Sequence, residues 1–330
     1  MSKKILLSGY YGFGNAGDEA VLSGILSSLS EALDGDITVL SSNPAYTLEH
    51  HNVSAVHRYK QLLPAVAGCD LLISGGGSLL QDATSKRSIY YYLAVLRLAQ
   101  IMGKKTMIYA QGIGPVNSNA ARKATAKAIN KADAVTVRDT ESAELLREIG
   151  VTKDITVVGD PALLVKAVPY TRRGYIALAP RRWGADNLAE IARGVKTAAE
   201  ELGLDVIALP MQKSEDTGVC ESMGFATETS LESVGEIKGF FASSAVTVAM
   251  RLHALIFAAG EGVPVVPVSY DPKVDAFARE CGVEPLKYDG LKGEELTKRI
   301  IDACGGPKPN LSKIKSSAYI PAGAAAELLK

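Results

Sequence analysis

Arg251, Leu252 and His253 lie where a strand-like run over Ala245–Met250 passes into a helix-like run over Ala254–Ala259. In an open α/β sheet, ligands bind outside the carboxyl ends of the strands, where the next helix offers free N–H groups. A guanidinium binds carboxylate or phosphate through two parallel hydrogen bonds, and a histidine that titrates near neutrality moves a proton. We therefore predict an anionic ligand and proton transfer at Arg251 and His253. The alternatives are a structural ion pair for Arg251 and a packed core position for His253.

A pair of arginines follows a second strand-like run. Tyr175–Ala179 leads through Pro180 into Arg181 and Arg182. We expect at least one of the two side chains to face the ligand at the sheet edge, because the pair stands at a strand end. A solvated surface pair is the alternative.

A glycine-rich loop follows the first strand-like run, Ile5–Ser8. Its glycines fit the spacing G-x-G-x-x-G, which is typical of dinucleotide sites: Gly12, Gly14 and Gly17. Two features argue against a dinucleotide. The next strand, Ile37–Leu40, is not followed by an acidic residue that would hold a ribose, and Asp18 and Glu19 put negative charge where a pyrophosphate would lie. We favour close approach of Gly14 and Asn15 to a neutral ligand such as a sugar.

The two carboxylates of this loop have two interpretations. Asp18 or Glu19 could accept protons from sugar hydroxyls, or both could cap the helix predicted near Asp18–Leu33.

Three further glycine loops stand at predicted strand ends. The first is Ser74–Ser78, for which we expect close backbone approach to a ligand, with a tight turn as the alternative. The second begins at Gln111, and the third is Gly159–Pro161, which is also ordinary turn chemistry. The candidate binding residues from these loops and the segment after the first are Gly75, Gly76, Gly77, Asp82 and Gln111.

Short β-branched runs alternate with longer helix-like segments along the whole chain, which predicts mostly parallel sheets covered by helices. A polar break over 168–174 reads as a linker. We therefore predict an α/β fold with two Rossmann-like domains that face a cleft, as in GT-B enzymes. The predicted domains are residues 1–168 and 174–317, with a last helix at 318–330 packed back on the first.

Composition excludes several classes of protein. Lys and Arg number 36, as do Asp and Glu, so the chain has no basic surplus that would indicate nucleic-acid binding. The four cysteines are scattered, which argues against a disulfide framework or a zinc site. No signal peptide or membrane-spanning run is visible. We expect a cytoplasmic protein, with contact to the inner face of the cell membrane left open and the oligomeric state undetermined.

For the remaining histidines and for a run of three tyrosines, structural roles are favoured over functional ones. His50, His51 and His57 read as loop residues without the spacing of a metal site. Tyr90–Tyr92 reads as helix packing with one exposed ring, and sugar stacking is the alternative.

Taken together, the motifs resemble the polysaccharide pyruvyltransferase family, and its CsaB type in particular. The resemblance spans nearly the whole chain and rests on GYYGFGNAGDEAVL, ISGGGSLLQD, YAQGIGPV, VVGDPALL, APRRW and MRLHALIFAAGEGVPVVPVSYDPKV. It implies a GT-B-like fold and transfer of pyruvate from phosphoenolpyruvate to a sugar as a cyclic ketal. The CsaB type implies a lipid-linked acceptor carrying N-acetylmannosamine, the precursor of a secondary cell-wall polymer that anchors S-layer proteins.

The resemblance also implies roles for the two domains, with residues 1–168 on the acceptor side and 174–317 on the phosphoenolpyruvate side, and for particular residues. The family's Arg-Leu-His donor motif maps onto Arg251, Leu252 and His253, and a further donor arginine maps onto Arg181 or Arg182. Within this chemistry we expect His253 to act as general acid. Asp18 is the first choice of base and Asp82 the second, and no metal or cofactor is expected because the arginines supply the positive charge.

Other functions are weighed against this one. A GT-B nucleotide-sugar glycosyltransferase is the main alternative, since arginines could hold a diphosphate. An NAD-dependent dehydrogenase is weaker, because the ribose-binding acid is missing. A glycan-binding protein without catalysis would have no need of a proton-transferring His253.

Overall fold

The computed structural model describes residues 2–83, 85, 87–184 and 187–330. The chain forms two compact units. The first contains Met1–Gly14, Asp18–Leu164 and Lys313–Lys330, and the second contains Asn15–Gly17 and Val165–Ser312. Three residues near the start of the chain therefore belong to the second unit.

The first unit is built on a parallel sheet. Its strands are β1 Lys3–Ser8, β2 Gly35–Ser41, β3 Ser54–His57, β4 Leu71–Gly75, β5 Lys105–Gln111, β6 Ala134–Val137 and β7 Thr156–Val157. They lie in the order β3-β2-β1-β4-β5-β6-β7, and each neighbouring pair is parallel. The order reverses direction between β1 and β4, so this is the topological switch point of a doubly wound fold.

Helices connect these strands. They are α1 Ala16–Ala32, α2 Pro44–His51, α3 Leu62–Gly68, α4 Ser88–Ile101, α5 Asn119–Ile129 and α6 Thr140–Glu148. A 3₁₀ helix follows β7 at Pro161–Leu164. Strand β4 is buried along its whole length, as expected for a parallel sheet with helices on both faces.

The second unit repeats the same plan. Its strands are β8 Ile176–Ala179, β9 Val206–Ala208, β10 Ala226–Thr227, β11 Val246–Ala249, β12 Val265–Ser269 and β13 Leu286–Lys287. The parallel order is β10-β9-β8-β11-β12-β13, which places a switch point between β8 and β11. Its helices are α7 Leu188–Leu202, α8 Lys213–Ser222, α9 Val234–Ala242, α10 Leu252–Gly260, α11 Pro272–Glu280 and α12 Gly293–Gly305.

Two helices end the chain, α13 Ser312–Ser317 and α14 Ile320–Leu328. Helix α14 packs against β5 and β6 of the first unit. The backbone N–H of Gly159 donates to Ser317 Oγ at 2.9 Å, which joins α13 to the segment after β7.

Helix α7 illustrates how local sequence sets an element. Its apolar side chains at Ile191, Val195 and Ala198 recur at helical spacing and are all buried. The helix ends at Gly203, whose φ of 66° is the left-handed conformation that favours glycine. Each unit has its own hydrophobic core.

The interpretation of the three N-terminal histidines as loop residues is wrong. His50 and His51 form the last turn of α2, and His57 is the last residue of β3. The Asn43 side chain accepts a hydrogen bond from Tyr46 N and so caps α2, and Pro44 stands at its first position. The cap and the proline start the helix that carries His50 and His51.

No helix in the described part of the chain is long and apolar enough to cross a membrane.

Candidate active site

Arg181 and Arg251 stand on either side of the switch point in the second unit. Strands β8 and β11 are neighbours, and both arginines follow the carboxyl ends of these strands. The register pairs Ala179 with Ala249, so the two segments leave the sheet at the same level. This is the position at which doubly wound sheets bind ligands.

Arg251 is buried in an ion pair with Asp216 of α8. Its Nε donates to Asp216 Oδ2 at 3.0 Å and its Nη2 to Asp216 Oδ1 at 2.5 Å. Burial alone would lower the pKa of the guanidinium, but the hydrogen bonds and charge of Asp216 outweigh it and hold that pKa above its ordinary value. Arg251 therefore forms the structural ion pair that was the alternative interpretation of this residue. The pair leaves Arg251 Nη1 without a hydrogen-bond partner among the described residues.

The structure separates the two adjacent arginines. Arg181 is half-buried, and its Nη1 donates to the hydroxyl of Tyr270 at 2.9 Å. Its guanidinium carbon lies 5.8 Å and 5.5 Å from the ring centres of Trp183 and Tyr270. Arg182 is exposed. Arg181 is therefore the arginine of the pair that takes part in the cluster at the switch point.

Glu215 connects both arginines. One carboxylate oxygen, Oε2, lies 3.3 Å from Arg251 Nη2 and 4.0 Å from Arg181 Nη2. The Glu215 side chain is 52% exposed, whereas Asp216 is 1% exposed. A single carboxylate oxygen thus lies close to two cations, in loose contacts that an incoming anion could replace.

His253 lies in the first turn of α10 and is half-buried. Its imidazole lies directly against Gly17, where a Cβ atom would clash with the ring. Gly17 is held in the second unit by its neighbours, since Ala16 N donates to Met211 O at 2.9 Å and Asn15 Nδ2 donates to Gln212 Oε1 at 3.2 Å. The predicted site residues Asn15 and His253 therefore belong to one unit, although 238 positions separate them in the chain.

Leu252 differs from its neighbours. Its side chain is buried at the start of α10, and no side chain caps this helix in the described structure. Packing thus accounts for the side chain, and any role in ligand binding falls to the backbone at the helix start.

At the switch point of the first unit, the triple-glycine loop packs against α1. A Cβ at Gly76 would clash with Val21, and the φ of Gly76 is 70°. A Cβ at Gly77 would lie 2.6 Å from Asp18 Oδ1. The glycines therefore have a structural explanation in close packing, and Gly77 leaves room for the Asp18 carboxylate. Gly14, in the loop after β1, is exposed and has a φ of 69°.

Glu19 supports the glycine-rich loop. Its Oε1 accepts a hydrogen bond from Gly12 N at 2.9 Å, and its Oε2 lies 2.9 Å from His51 Nε2. A buried carboxylate therefore accepts from a loop amide of the kind that a dinucleotide pyrophosphate would need. The geometry agrees with the argument against a dinucleotide and gives Glu19 a structural role.

Asp82 is fully engaged with the segment before α5. Its Oδ1 accepts from Asn117 N at 2.7 Å and from Asn117 Nδ2 at 3.1 Å, and its Oδ2 accepts from Ser118 N at 2.8 Å. Burial would raise the pKa of this carboxyl group, but these hydrogen bonds outweigh it and lower the pKa below its usual range. A carboxylate so stabilised is a poor base, which argues against Asp82 in that role.

Gln111 ends β5 with its side chain buried, and neither polar atom of its amide has a hydrogen-bond partner in the described part of the chain. Sequence reasoning placed Gln111 at this sheet edge but overlooked Arg138, which follows β6. Arg138 is buried, and its guanidinium contacts Asp160 Oδ2 at 3.2 Å and Ser78 Oγ at 2.9 Å. The signal was available, because Arg138 follows a strand as Arg251 does.

Within the described residues, no group of three or more His, Cys, Asp or Glu side chains is placed to hold a metal ion.

A family model for polysaccharide pyruvyl transferases matches residues 15–272, which is more than half of the chain and includes both switch-point arginines. The chain belongs to the polysaccharide pyruvyl transferase family. No curated protein matches the sequence. The transferase class predicted from the sequence is thereby supported at the level of the family.

Solved structures with similar folds include enzymes of nucleotide sugars. UDP-GlcNAc 2-epimerase from Methanocaldococcus jannaschii aligns with a TM-score of 0.68 at 12% identity, covering 100% of this chain and 99% of that one. UDP-GlcNAc 2-epimerase from Neisseria meningitidis bound to UDP-GlcNAc gives 0.61 at 10% identity, covering 99% and 98%. An α-glucosyltransferase in complex with UDP gives 0.51 at 11% identity, covering 99% and 95%. At these identities the likeness concerns the fold alone, and it confirms the predicted GT-B-like α/β class with two parallel sheets.

Proposed function

We propose that this protein transfers pyruvate from phosphoenolpyruvate to two hydroxyls of one sugar, forming a cyclic ketal and releasing phosphate. The observation that carries the proposal is the position of Arg181 and Arg251 around one exposed carboxylate at a switch point, within a chain of the pyruvyl transferase family. Phosphoenolpyruvate carries a carboxylate and a phosphate close together, so it needs more than one guanidinium.

Donor binding follows from the charges at this edge. Arg251 keeps Nη1 available while Asp216 holds the other side of its guanidinium, so the cation is fixed before the ligand arrives. Glu215 is half-exposed and makes only loose contacts with both arginines. The donor replaces the Glu215 carboxylate, and the two guanidinium groups then divide its carboxylate and phosphate between them.

The reaction begins at the methylene carbon of phosphoenolpyruvate. His253 donates a proton to this carbon, which becomes a methyl group, and the central carbon becomes electrophilic. One sugar hydroxyl adds to the central carbon and loses its proton, and a second hydroxyl of the same sugar then displaces phosphate and loses its own. The product is the ketal, and inorganic phosphate leaves.

Asp18 is the proposed base for the hydroxyl protons. Its carboxylate lies beside Gly77 in the first unit. The proposal needs no metal ion, because arginine side chains supply the positive charge, and turnover should therefore be insensitive to EDTA.

The acceptor is proposed from the resemblance noted above. It is the N-acetylmannosamine of a lipid-linked precursor of a secondary cell-wall polymer, modified in the cytoplasm at the inner face of the membrane. Such a polymer would anchor S-layer proteins.

The test is phosphate release from phosphoenolpyruvate with and without a β-ManNAc-(1→4)-GlcNAc diphosphate-lipid analogue. We expect acceptor-dependent release, with the acceptor gaining the mass of one pyruvate ketal in mass spectrometry. Absence of release by folded protein with a verified acceptor would contradict the proposal. Stabilisation by UDP- or GDP-sugars but not by phosphoenolpyruvate would then indicate the alternative, a nucleotide-sugar glycosyltransferase.

A further inference from the structure

Arg58 is a buried arginine without an acidic partner. It follows β3 in the first unit, and its residue is 6% exposed. Its backbone N–H donates to Ser41 O at 2.9 Å, which fixes the start of the side chain. No carboxylate of the described residues pairs with its guanidinium, and its Nε is buried without a hydrogen-bond partner. An arginine stays protonated in proteins, so this is a buried positive charge without a counter-charge.

Aromatic rings surround the guanidinium. Its central carbon lies 5.3 Å from the ring centre of Phe13, 5.2 Å from that of Tyr59, 4.1 Å from that of Tyr91 and 5.6 Å from that of Tyr92. Cation–π attraction to the ring faces and a hydrogen bond with the Tyr91 hydroxyl hold the group in place. Burial lowers the pKa of the guanidinium and the tyrosine hydroxyls raise it above its ordinary value, but none of these neutral groups supplies a negative charge. The hydrogen-bonding capacity of the guanidinium fork thus exceeds what the protein offers it.

Two of the surrounding rings reach the protein surface. Phe13 and Tyr59 are both exposed, and the Phe13 ring stacks on Tyr10 with ring centres 4.0 Å apart. Phe13 lies in the glycine-rich loop after β1, which we associate with a sugar ligand. Exposed aromatic faces beside an arginine suit a ligand with an apolar ring face joined to an anion.

The prediction that Tyr90–Tyr92 pack in a helix with one exposed ring is confirmed, because Tyr92 is packed and Tyr90 is exposed.

From this juxtaposition we infer that Arg58, with Phe13 and Tyr59, binds the phosphate of a glycosyl diphosphate whose sugar lies along the glycine-rich loop. Phosphate oxygens match the planar fork of the guanidinium, and the exposed rings cover the face of the attached sugar. The inference deepens the proposed function, on which it rests in taking the diphosphate-linked sugar as part of the acceptor molecule. The diphosphate could be joined to a lipid or to a nucleoside, and the binding chemistry is the same for both.

The test is isothermal titration calorimetry, which requires no turnover. The probes are the octyl diphosphate of N-acetylglucosamine, UDP-N-acetylglucosamine, and octyl N-acetylglucosaminide, which has no phosphate. Arg58→Met removes the charge and keeps an apolar stem. Lys60→Met is the matched control, because it removes an exposed positive charge two residues away.

We expect Arg58→Met to weaken binding of the octyl diphosphate, of UDP-N-acetylglucosamine or of both by about 10- to 100-fold, the value of a charge-assisted hydrogen bond. Octyl N-acetylglucosaminide should bind within about 2-fold of the original protein, as should every probe to Lys60→Met. Loss with only one diphosphate identifies a lipid or a nucleoside as the second group. Should Arg58→Met unfold, Arg58→Lys provides the same comparison, since it keeps the charge but loses the fork.

Two results would overturn the inference. One is that neither diphosphate binds the original protein. The other is that the Arg58 variant changes all three probes equally, or none of them. If phosphate release from phosphoenolpyruvate proceeds while either result is found, the proposed function stands and the role of Arg58 fails. If diphosphate binding depends on Arg58 but phosphoenolpyruvate is not consumed, the role of Arg58 in binding stands and the proposed function fails.

Discussion

Replacing Arg251 with methionine should cost the protein both stability and activity, and a second substitution should separate the two effects. Arg251→Met leaves Asp216, which is 1% exposed, as an uncompensated buried charge. Breaking such a pair costs about 3–5 kcal/mol. For a unit of this size, about 2–4 °C of Tm is lost per kcal/mol, so we expect Tm to fall by roughly 6–20 °C.

The double variant Arg251→Met with Asp216→Asn removes both charges. The amide oxygen introduced by Asp216→Asn would still accept the hydrogen bond that Gln212 N donates to Oδ2 at 3.0 Å, so we expect stability to return to within about 1–2 kcal/mol of the original. Activity should not return, because the donor-binding guanidinium is absent; kcat/KM should stay lower by on the order of 10²-fold or more.

The assays are scanning calorimetry for Tm and phosphate release for turnover, carried out on the three variants Arg251→Met, Asp216→Asn and the double. Recovery of turnover in the double variant would refute a functional role for Arg251 and leave it as a structural ion-pair residue. An unchanged Tm in Arg251→Met would instead refute the stabilising ion pair.

Three further predictions concern neighbouring groups. Arg181→Ala should raise the KM for phosphoenolpyruvate by about 10-fold or more, whereas the exposed Arg182→Ala should leave it within about 2-fold, and equal effects in steady-state kinetics would contradict the distinction. His253→Ala should lower kcat/KM by on the order of 10²-fold, and Gly17→Ala should lower it too, because the added methyl group displaces the imidazole; a fully active Gly17→Ala enzyme would argue against that position of the ring. Asp82 has a lowered pKa in the folded protein, so its contribution to stability is present above the unfolded pKa of about 3.9 and is lost as pH falls through the folded value. The free energy of unfolding of Asp82→Asn should therefore depend less on pH in that acid range. An identical pH profile for the variant and the original protein would count against the stabilising role of Asp82.

Local sequence signals predicted most of the elements. The strand-like runs Ile5–Ser8, Tyr175–Ala179 and Ala245–Met250 contain most of β1, β8 and β11, and the apolar residues of α7 recur at helical spacing. These signals act within one or two turns of chain, so a single sequence contains them. The strands of two residues, β7, β10 and β13, have too little sequence for their bounds to be predicted closely, since pairing defines them.

The candidate site was predictable in position but not in its contacts. The strand-end rule placed Arg251 and Arg181 at one sheet edge, because each follows an apolar run. It gave no sign of Asp216, which pairs with Arg251 across 35 positions, or of His51, which pairs with Glu19 across 32. Such pairs depend on how helices pack on the sheets, and neither periodicity nor composition records that packing.

The division of the chain between the two units has a consequence for synthesis. The first unit includes α14, which packs on β5 and β6, but α14 is synthesised after residues 165–312 of the second unit. At about 5–20 residues per second, the parts of the first unit that lie before Val165 wait roughly 10–30 s for this helix.

During that interval the surface of β5 and β6 that α14 covers is exposed in the nascent chain. The second unit likewise depends on Asn15–Gly17, which are made first and must remain accessible until Met211 and Gln212 emerge. Neither unit is therefore completed by a continuous stretch of chain, and expression of residues 165–312 alone would yield a second unit without the segment that lies against His253.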